Sequence, residues 1–288
     1  MARIIIFGGQ GYLGQNIIAN LSNEHQFLSL GRRQKKQFKD LTYDHKSIND
    51  SDLVERLNSF NADYFIISYF GNPSSKNIDT YNNLNETIRY IYDAFSAKPK
   101  FVFVSTQLVY GIKNRPFNQI GLELRAINFY GLMCSNFEKD IQEFTGENHL
   151  ILRVPIVYGG KPNLNKGYNN IISIFLNDAI KGKNLQVYGS GLQIRSFIHI
   201  DDFVLLLNKV LSDNVRIKLL DTCFNEYYSI LELAELIASK FNTECNVIPW
   251  PHTIIGEDIF DTILDSSKAL NLVQNKWCLS KYLNSINE

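Results

Sequence analysis

Through the first half of the chain, short unbroken apolar runs alternate with stretches whose apolar residues recur three and four positions apart. The run "RIIIFG" leads into "GYLGQNIIANLSN". It is followed by "QFLSLG", the amphipathic "INDSDLVERLNSF", then "DYFIISYF", "NETIRYIYDAF" and "KFVFVST". The runs predict strands and the periodic stretches predict helices. Such alternation predicts βαβ units and a parallel sheet with helices on both faces. After "HLILRV" the rhythm loosens into the Gly-, Asn- and Pro-rich "YGGKPNLNKGYNN", and two further helices are predicted at "IISIFLNDAIKG" and "SILELAELIASKF". This predicts an α/β fold, a doubly wound parallel sheet with a smaller α/β lobe suited to substrate binding. Residues 1–158, with about 187–214 returning, are expected in the sheet domain. Residues 159–186 and 215–288 are expected in the smaller lobe.

Composition narrows the partners. The chain has 288 residues, 45% of them hydrophobic, enough to bury a full core. Its 29 Lys and Arg balance 29 Asp and Glu, leaving no global field to draw nucleic acid or an anionic membrane. The opening "MARIIIFGGQG" reads as a first strand and not as a signal peptide. No apolar stretch approaches the roughly 20 residues of a membrane span, so the cytoplasm is the expected location. Cys134, Cys223, Cys245 and Cys278 lack paired spacing, which points to neither a metal site nor a disulfide framework.

The first strand is followed at once by "FGGQGYLG", which spaces Gly8, Gly11 and Gly14 as G-x-x-G-x-x-G. Glycines there allow a tight turn, close approach of backbone to a pyrophosphate and close helix–strand packing, while the helix N-terminus offers amides and a partial positive charge. Gly8, Gly11, Tyr12, Leu13 and Gly14 are therefore the candidate dinucleotide contacts. An acid at the end of the second strand would hold the ribose of NAD, but Gly31 stands there, followed by Arg32 and Arg33. Arg32 can grip a 2′-phosphate through its planar fork, which favours NADPH/NADP over NAD. The alternative for "GRRQKK" is a solvated basic turn.

With that loop, "VSTQLVYG" and "YGLMCSNFEK", the chain resembles the extended short-chain dehydrogenase/reductase family, which includes nucleotide-sugar epimerases, dehydratases and ketoreductases. The resemblance runs almost end to end. It takes in "YNNLNET", placing Asn83 at a helix start, "ILRVPIVYGG", "LQVYGSGLQIRSFIHIDDF" and "LDSSKALNLV". It implies a Rossmann-type sheet, a nucleotide-diphosphate sugar as substrate and a homodimer through "NETIRYIYDAF" and the helix of Tyr130. It also implies that Thr106 and Tyr130 are catalytic: Thr106 bonds the reacting oxygen, and Tyr130, which also borders the cofactor, exchanges a proton with it. Arg195 in "QIRSF" is the implied diphosphate contact.

The pattern breaks at several places. The family's lysine, one turn after the tyrosine, is here Cys134, and Lys139 lies about 180° away on the helix. Tyr69 and Phe70 stand where the family has small residues, Ile156 stands in place of an asparagine, and "WPHTIIGED" lacks an expected arginine. A phenol without a neighbouring cation is ionised about once in a thousand molecules at neutral pH, a handicap of roughly 4 kcal/mol for steps begun by base catalysis. Ketone reduction needs the neutral phenol instead. The resulting expectation is an NADPH-dependent ketoreductase of a nucleotide-activated keto-sugar, such as a 4-keto-6-deoxyhexose of surface-polysaccharide biosynthesis. The alternatives are an epimerase or dehydratase with retained NAD(P), and an NADP-binding regulatory protein that has lost catalysis.

Overall fold

The computed structural model describes residues 1–31, 40–42, 51–70, 77–111, 126, 128–160, 170–213, 216–251 and 260–286. The chain begins β1 (Arg3–Phe7), α1 (Tyr12–Leu21), β2 (Gln26–Gly31), β3 (Asp40–Thr42), α2 (Ser51–Phe60), β4 (Tyr64–Ile67), α3 (Ile78–Asp93) and β5 (Lys100–Thr106). It continues with α4 (Phe129–Thr145), β6 (His149–Val154), β7 (Ile156–Tyr158), α5 (Ile171–Ile180), β8 (Leu185–Tyr188), β9 (Ile194–His199) and α6 (Ile200–Ser212). The last part holds β10 (Leu219–Asp221), β11 (Tyr227–Ser229), α7 (Ile230–Phe241), β12 (Cys245–Ile248), α8 (Ser267–Leu272) and α9 (Leu279–Ser285).

Seven parallel strands form the main sheet in the order β10-β6-β5-β4-β1-β2-β3. The chain order reverses between β1 and β4. In a doubly wound sheet, ligands bind outside the carboxyl ends of the strands at that switch point. Successive residues of a strand face opposite sides, and both sides are covered here. Ile5, Phe7, Phe65, Ile67, Phe101 and Phe103 pack towards α3 and α4. Ile4, Ile6, Ile66, Val102 and Val104 pack towards α1 and α6. Burial on both faces is why these strands read as continuous apolar runs.

A three-stranded sheet, β11-β9-β7, and a two-stranded one, β12-β8, build the smaller lobe around a separate core of α5, α7 and α9. Local chemistry starts these helices where the periodicity begins. Ser229 and Glu232 close a reciprocal cap on α7, at 3.1 and 2.7 Å, and Asn242 ends it in the left-handed region at φ 54°.

Three details depart from the sequence-based expectation. Leu219–Asp221, inside the stretch expected in the smaller lobe, forms the edge strand β10 of the main sheet. In the stretch expected to return, α6 does so by packing on the α1 side, whereas β8 and β9 belong to the smaller sheets. A three-residue strand is too short to show a period, and a β-rich run does not announce which sheet will take it. Asn83 is not at a helix start. The cap of α3 is Asn77, whose side chain accepts from the amides of Asp79 and Thr80, so Asn83 lies exposed in the second turn. Among the described residues no helix is long and apolar enough to cross a membrane.

Candidate active site

The turn from β1 into α1 lies at the switch point. Gly8 has φ 88°, a conformation L side chains rarely adopt, and its amide donates to the Leu30 carbonyl at 3.0 Å while its carbonyl accepts from Gly11 at 2.9 Å. A Cβ on Gly14 would lie 2.4 Å from the Gly8 carbonyl oxygen, so α1 seats on β1 only because that side chain is missing. Gly11 differs. It is the N-cap of α1 and offers no side-chain cap, and among the described residues a Cβ there would meet only the Gly8 oxygen, at 3.3 Å. Among the described residues nothing else fills the space before the helix N-terminus, and the first amides of any helix have no intrahelical acceptor. This cradle fits the pyrophosphate of a dinucleotide. The Tyr12 phenol donates to the Gly159 carbonyl at 3.0 Å, and Leu13 beside it is half-buried. Arg32, the candidate for a 2′-phosphate, lies outside the described residues.

Beyond β4, Tyr69 closes on the loop, its Cβ 2.5 Å from where a Gly8 Cβ would stand. Phe70 is buried and stacks on Phe137 of α4, 4.3 Å between centroids at 10°. The bulk at this position therefore enters the aromatic core under α3 and α4.

Thr106 ends β5 and caps the 3₁₀ turn Gln107–Val109, its hydroxyl oxygen accepting from the Leu108 amide at 3.3 Å. Tyr130 lies in the first turn of α4, which Asn128 caps by accepting from the Gly131 amide at 2.8 Å. A Cβ on Gly131 would fall 2.5 Å from the Leu108 carbonyl oxygen. That glycine lets the first turn of α4 close on the turn that Thr106 caps, bringing the two candidate segments together. Tyr130 is half-buried, with its ring 6.4 Å from that of Tyr81.

One turn below Tyr130 is Cys134, wholly buried. Burial pushes its thiol far up from the ordinary range, and the nearby Tyr130 hydroxyl offsets this only in part, so the thiol is uncharged at neutral pH. Tyr81 is pushed up to about 12 by burial first, then by its proximity to Cys134 and Tyr69.

The same face of α4 carries a polar network that the motifs did not announce. Glu138 accepts from the Ser105 hydroxyl at 2.5 Å and from Arg153, with Nη2 at 2.6 Å and Nε at 3.2 Å. The Arg153 guanidinium lies 4.6 Å over the ring of Tyr110, whose hydroxyl donates to the Asp221 carboxylate, 2.8 and 2.9 Å from its oxygens. Burial raises Asp221 to about 7, against the lowering effects of Tyr110 and Arg153. Ser105, Arg153 and Asp221 are register partners across β5, β6 and β10, so the network braces the strand ends beside Thr106. The available signal was Glu138 at two turns from Tyr130, together with an arginine inside the apolar run "HLILRV".

Arg195, the candidate diphosphate ligand, is buried. Its Nη1 donates to the Ile194 carbonyl at 2.9 Å and to that of Phe260, and its backbone bridges to Thr262. In this conformation the side chain ties β9 to the segment at 260–264. Ile156 opens β7 and packs half-buried on the core of the smaller lobe. No cluster of three or more metal-ligating side chains occurs among the described residues.

The strand order, the switch point and the glycine turn define a Rossmann-type α/β protein. The chain belongs to the NAD dependent epimerase/dehydratase family, which it matches over residues 4–219. It is 23% identical over 281 residues to a UDP-N-acetyl-alpha-D-glucosaminuronate decarboxylase from Bacillus cytotoxicus, covering 91% of this chain and 87% of the relative. It is 21% identical over 282 residues to a GDP-6-deoxy-D-talose 4-dehydrogenase from Aggregatibacter actinomycetemcomitans, covering 96% and 92%. Among solved structures, the UDP-glucuronic acid 4-epimerase of Bacillus cereus in complex with UDP-glucuronic acid and NAD superimposes with a TM-score of 0.79 at 19% identity, over 98% of this chain and 97% of that one. The protein is thus a nucleotide-sugar-modifying enzyme of the NAD-dependent epimerase/dehydratase type.

Proposed function

We propose that the protein is an NADPH-dependent ketoreductase acting on a nucleotide-diphosphate keto-sugar, such as a 4-keto-6-deoxyhexose used in surface-polysaccharide biosynthesis. The observation that carries this reading is the uncharged, wholly buried Cys134 one turn from Tyr130, where the family's catalytic lysine is expected. A neutral thiol does not stabilise a phenolate, so it leaves Tyr130 suited to giving a proton and poorly suited to taking one. A bound nicotinamide supplies the hydride. Thr106 donates a hydrogen bond to the carbonyl oxygen, Tyr130 delivers its proton to that oxygen as negative charge develops, and water restores the phenol afterwards. Gly8, Gly11 and Gly14, with the main chain of Tyr12 and Leu13, hold the pyrophosphate. Arg195 needs a changed rotamer to reach a substrate diphosphate. The relative named as a 6-deoxy-sugar 4-dehydrogenase supports chemistry at carbon 4, which this enzyme would run in the reducing direction.

A second reading, an epimerase or dehydratase that retains NAD(P), is favoured by the epimerase and decarboxylase relatives and by the NAD held in solved structures of similar fold. Native mass measurement of the purified protein separates the two. The reductase is expected to release its dinucleotide on dilution, whereas a tightly held dinucleotide of unchanged redox state would favour the second reading.

Arg32 is assigned to the 2′-phosphate of NADPH because it follows Gly31, where NAD-specific proteins carry an acid. Arg32→Ala is expected to weaken NADPH by about 1.5 to 3 kcal/mol, the range for a charge-assisted hydrogen bond, and to leave NADH nearly unchanged. Calorimetric titration with both cofactors checks this. Equal losses would remove Arg32 from the site.

A further inference from the structure

The chain leaves the main sheet at β6 and, one residue later, enters β7, where Tyr158 pairs with His199 of β9 in the smaller sheet. β7 runs into Gly159 and Gly160, at φ 83° and 88°, a turn that L side chains resist. Its surroundings are close as well. A Cβ on Gly159 would lie 2.1 Å from Nε2 of His199, whose ring is held by stacking on Trp277, 4.3 Å between centroids, and by accepting the Asp201 amide at Nδ1. Helix α1 stands against the same turn. The Tyr12 hydroxyl donates to the Gly159 carbonyl at 3.0 Å, and a Cβ on Gly160 would lie 2.8 Å from Oδ1 of Asn16, one turn after Tyr12. Asn16 is wholly buried, and its Nδ2 donates to the Tyr12 carbonyl at 2.8 Å. Among the described residues Asn16 Oδ1 meets no donor. A buried acceptor left unpaired destabilises this arrangement of the turn, and a turn amide brought to it would stabilise another.

We propose that Tyr12 is a positioning residue that makes cofactor and sugar nucleotide bind cooperatively: a dinucleotide held by the first turn of α1 fixes that turn, and the Tyr12 side chain passes the restraint through the Gly159 carbonyl to the end of β7. The proposal rests on the reading of the glycine turn as a dinucleotide site and of the smaller lobe as the place of the sugar nucleotide. Tyr12 is the first residue of α1, directly after the Gly11 cap, so its backbone answers to the cofactor and its side chain to β7. Sheet pairing does not supply this link, because β7 takes its strand partner from β9 and not from the main sheet. Coupling of this kind is reciprocal, each ligand favouring the other by the same factor, and one neutral hydrogen bond sets its scale at about fivefold.

The test is calorimetric titration of UDP, GDP and dTDP into the wild type and Tyr12→Phe, each with and without saturating NADP. For a nucleoside diphosphate that binds, NADP is expected to raise affinity about fivefold in the wild type and less than about twofold in Tyr12→Phe. The variant keeps the ring and its packing, so a role in folding alone would leave this ratio unmoved. Hydrogen exchange read by mass spectrometry follows the same link without a variant. NADP is expected to slow exchange in peptides covering residues 8–14 and 156–160 of the wild type, and in Tyr12→Phe only in the first. A coupling ratio equal in the two proteins, or protection of 8–14 without protection of 156–160 in the wild type, overturns the role of Tyr12 while the dinucleotide site stands. If the wild type does not bind NADP, the reading of the glycine turn falls and the role of Tyr12 with it. If none of the three nucleoside diphosphates binds, the reading of the smaller lobe falls, and the cooperativity with it.

Discussion

Tyr130→Phe is expected to lower turnover of the keto-sugar by about a hundredfold or more while cofactor affinity stays nearly constant, the usual scale for loss of a general acid. The phenol is placed by Asn128, which starts α4, and by Gly131, which lets that helix close on the turn capped by Thr106. Its hydroxyl is the group the substitution removes, and the ring that packs beside Tyr81 is retained. The loss should therefore appear in kcat and not in folding. Cys134→Ala is the companion variant. It removes a buried sulfur but no charge, so a fall in turnover of less than about tenfold is expected, with a stability loss of about 1 kcal/mol for the small cavity. A lysine at position 134 is a poorer test, because the site is wholly enclosed and an ammonium there would have to shed its hydration. Steady-state kinetics on both variants separates the roles: if Cys134→Ala is as damaging as Tyr130→Phe, the thiol takes part in the chemistry and Tyr130 does not act as a simple donor.

Gly11→Val is expected to abolish measurable binding of NADPH and NADH while the protein still folds. The contrast with its neighbours makes this specific. A side chain at Gly14 would run into the backbone of Gly8 and Gly9, and one at Gly8 would meet Tyr69 in a backbone conformation that L residues avoid, so substitutions there damage the fold. Among the described residues a side chain at Gly11 meets only one carbonyl oxygen, at 3.3 Å. A branched residue fills the volume a pyrophosphate would need. Circular dichroism together with fluorescence titration distinguishes the two kinds of failure. A folded Gly11→Val protein with unchanged NADPH affinity would remove the glycine turn from the binding site.

The fold was legible because its strands are buried on both faces. "RIIIF", "YFII" and "KFVFVST" read as unbroken apolar runs separated by amphipathic helices, and that rhythm specifies a parallel sheet before any motif is considered. The glycine spacing was legible for a related reason, since each glycine answers to a constraint within a few residues of itself. What stayed hidden depends on contacts between distant segments. Leu219–Asp221 is too short to display a period and is assigned to the main sheet only by pairing with β6. Asn77, six residues before Asn83, takes the start of α3 through a side-chain bond that apolar periodicity does not register. Glu138, Arg153 and Asp221 come from one helix and two strands, and no local pattern says that a buried glutamate and arginine will meet.

The direction of hydride flow is the most direct test of the proposed reaction. Purified protein would be mixed with one equivalent of NADPH carrying deuterium at its reactive carbon and with each of a panel of nucleotide-diphosphate 4-keto-6-deoxyhexoses, and products would be followed by mass spectrometry. For the true substrate, the expected result is one NADPH oxidised and one deuterium gained for each alcohol formed, with NADP free in solution. Interconversion of sugars with no net NADPH oxidation, or bound cofactor with no conversion across the panel, would contradict the assignment of Tyr130 as proton donor in a reduction.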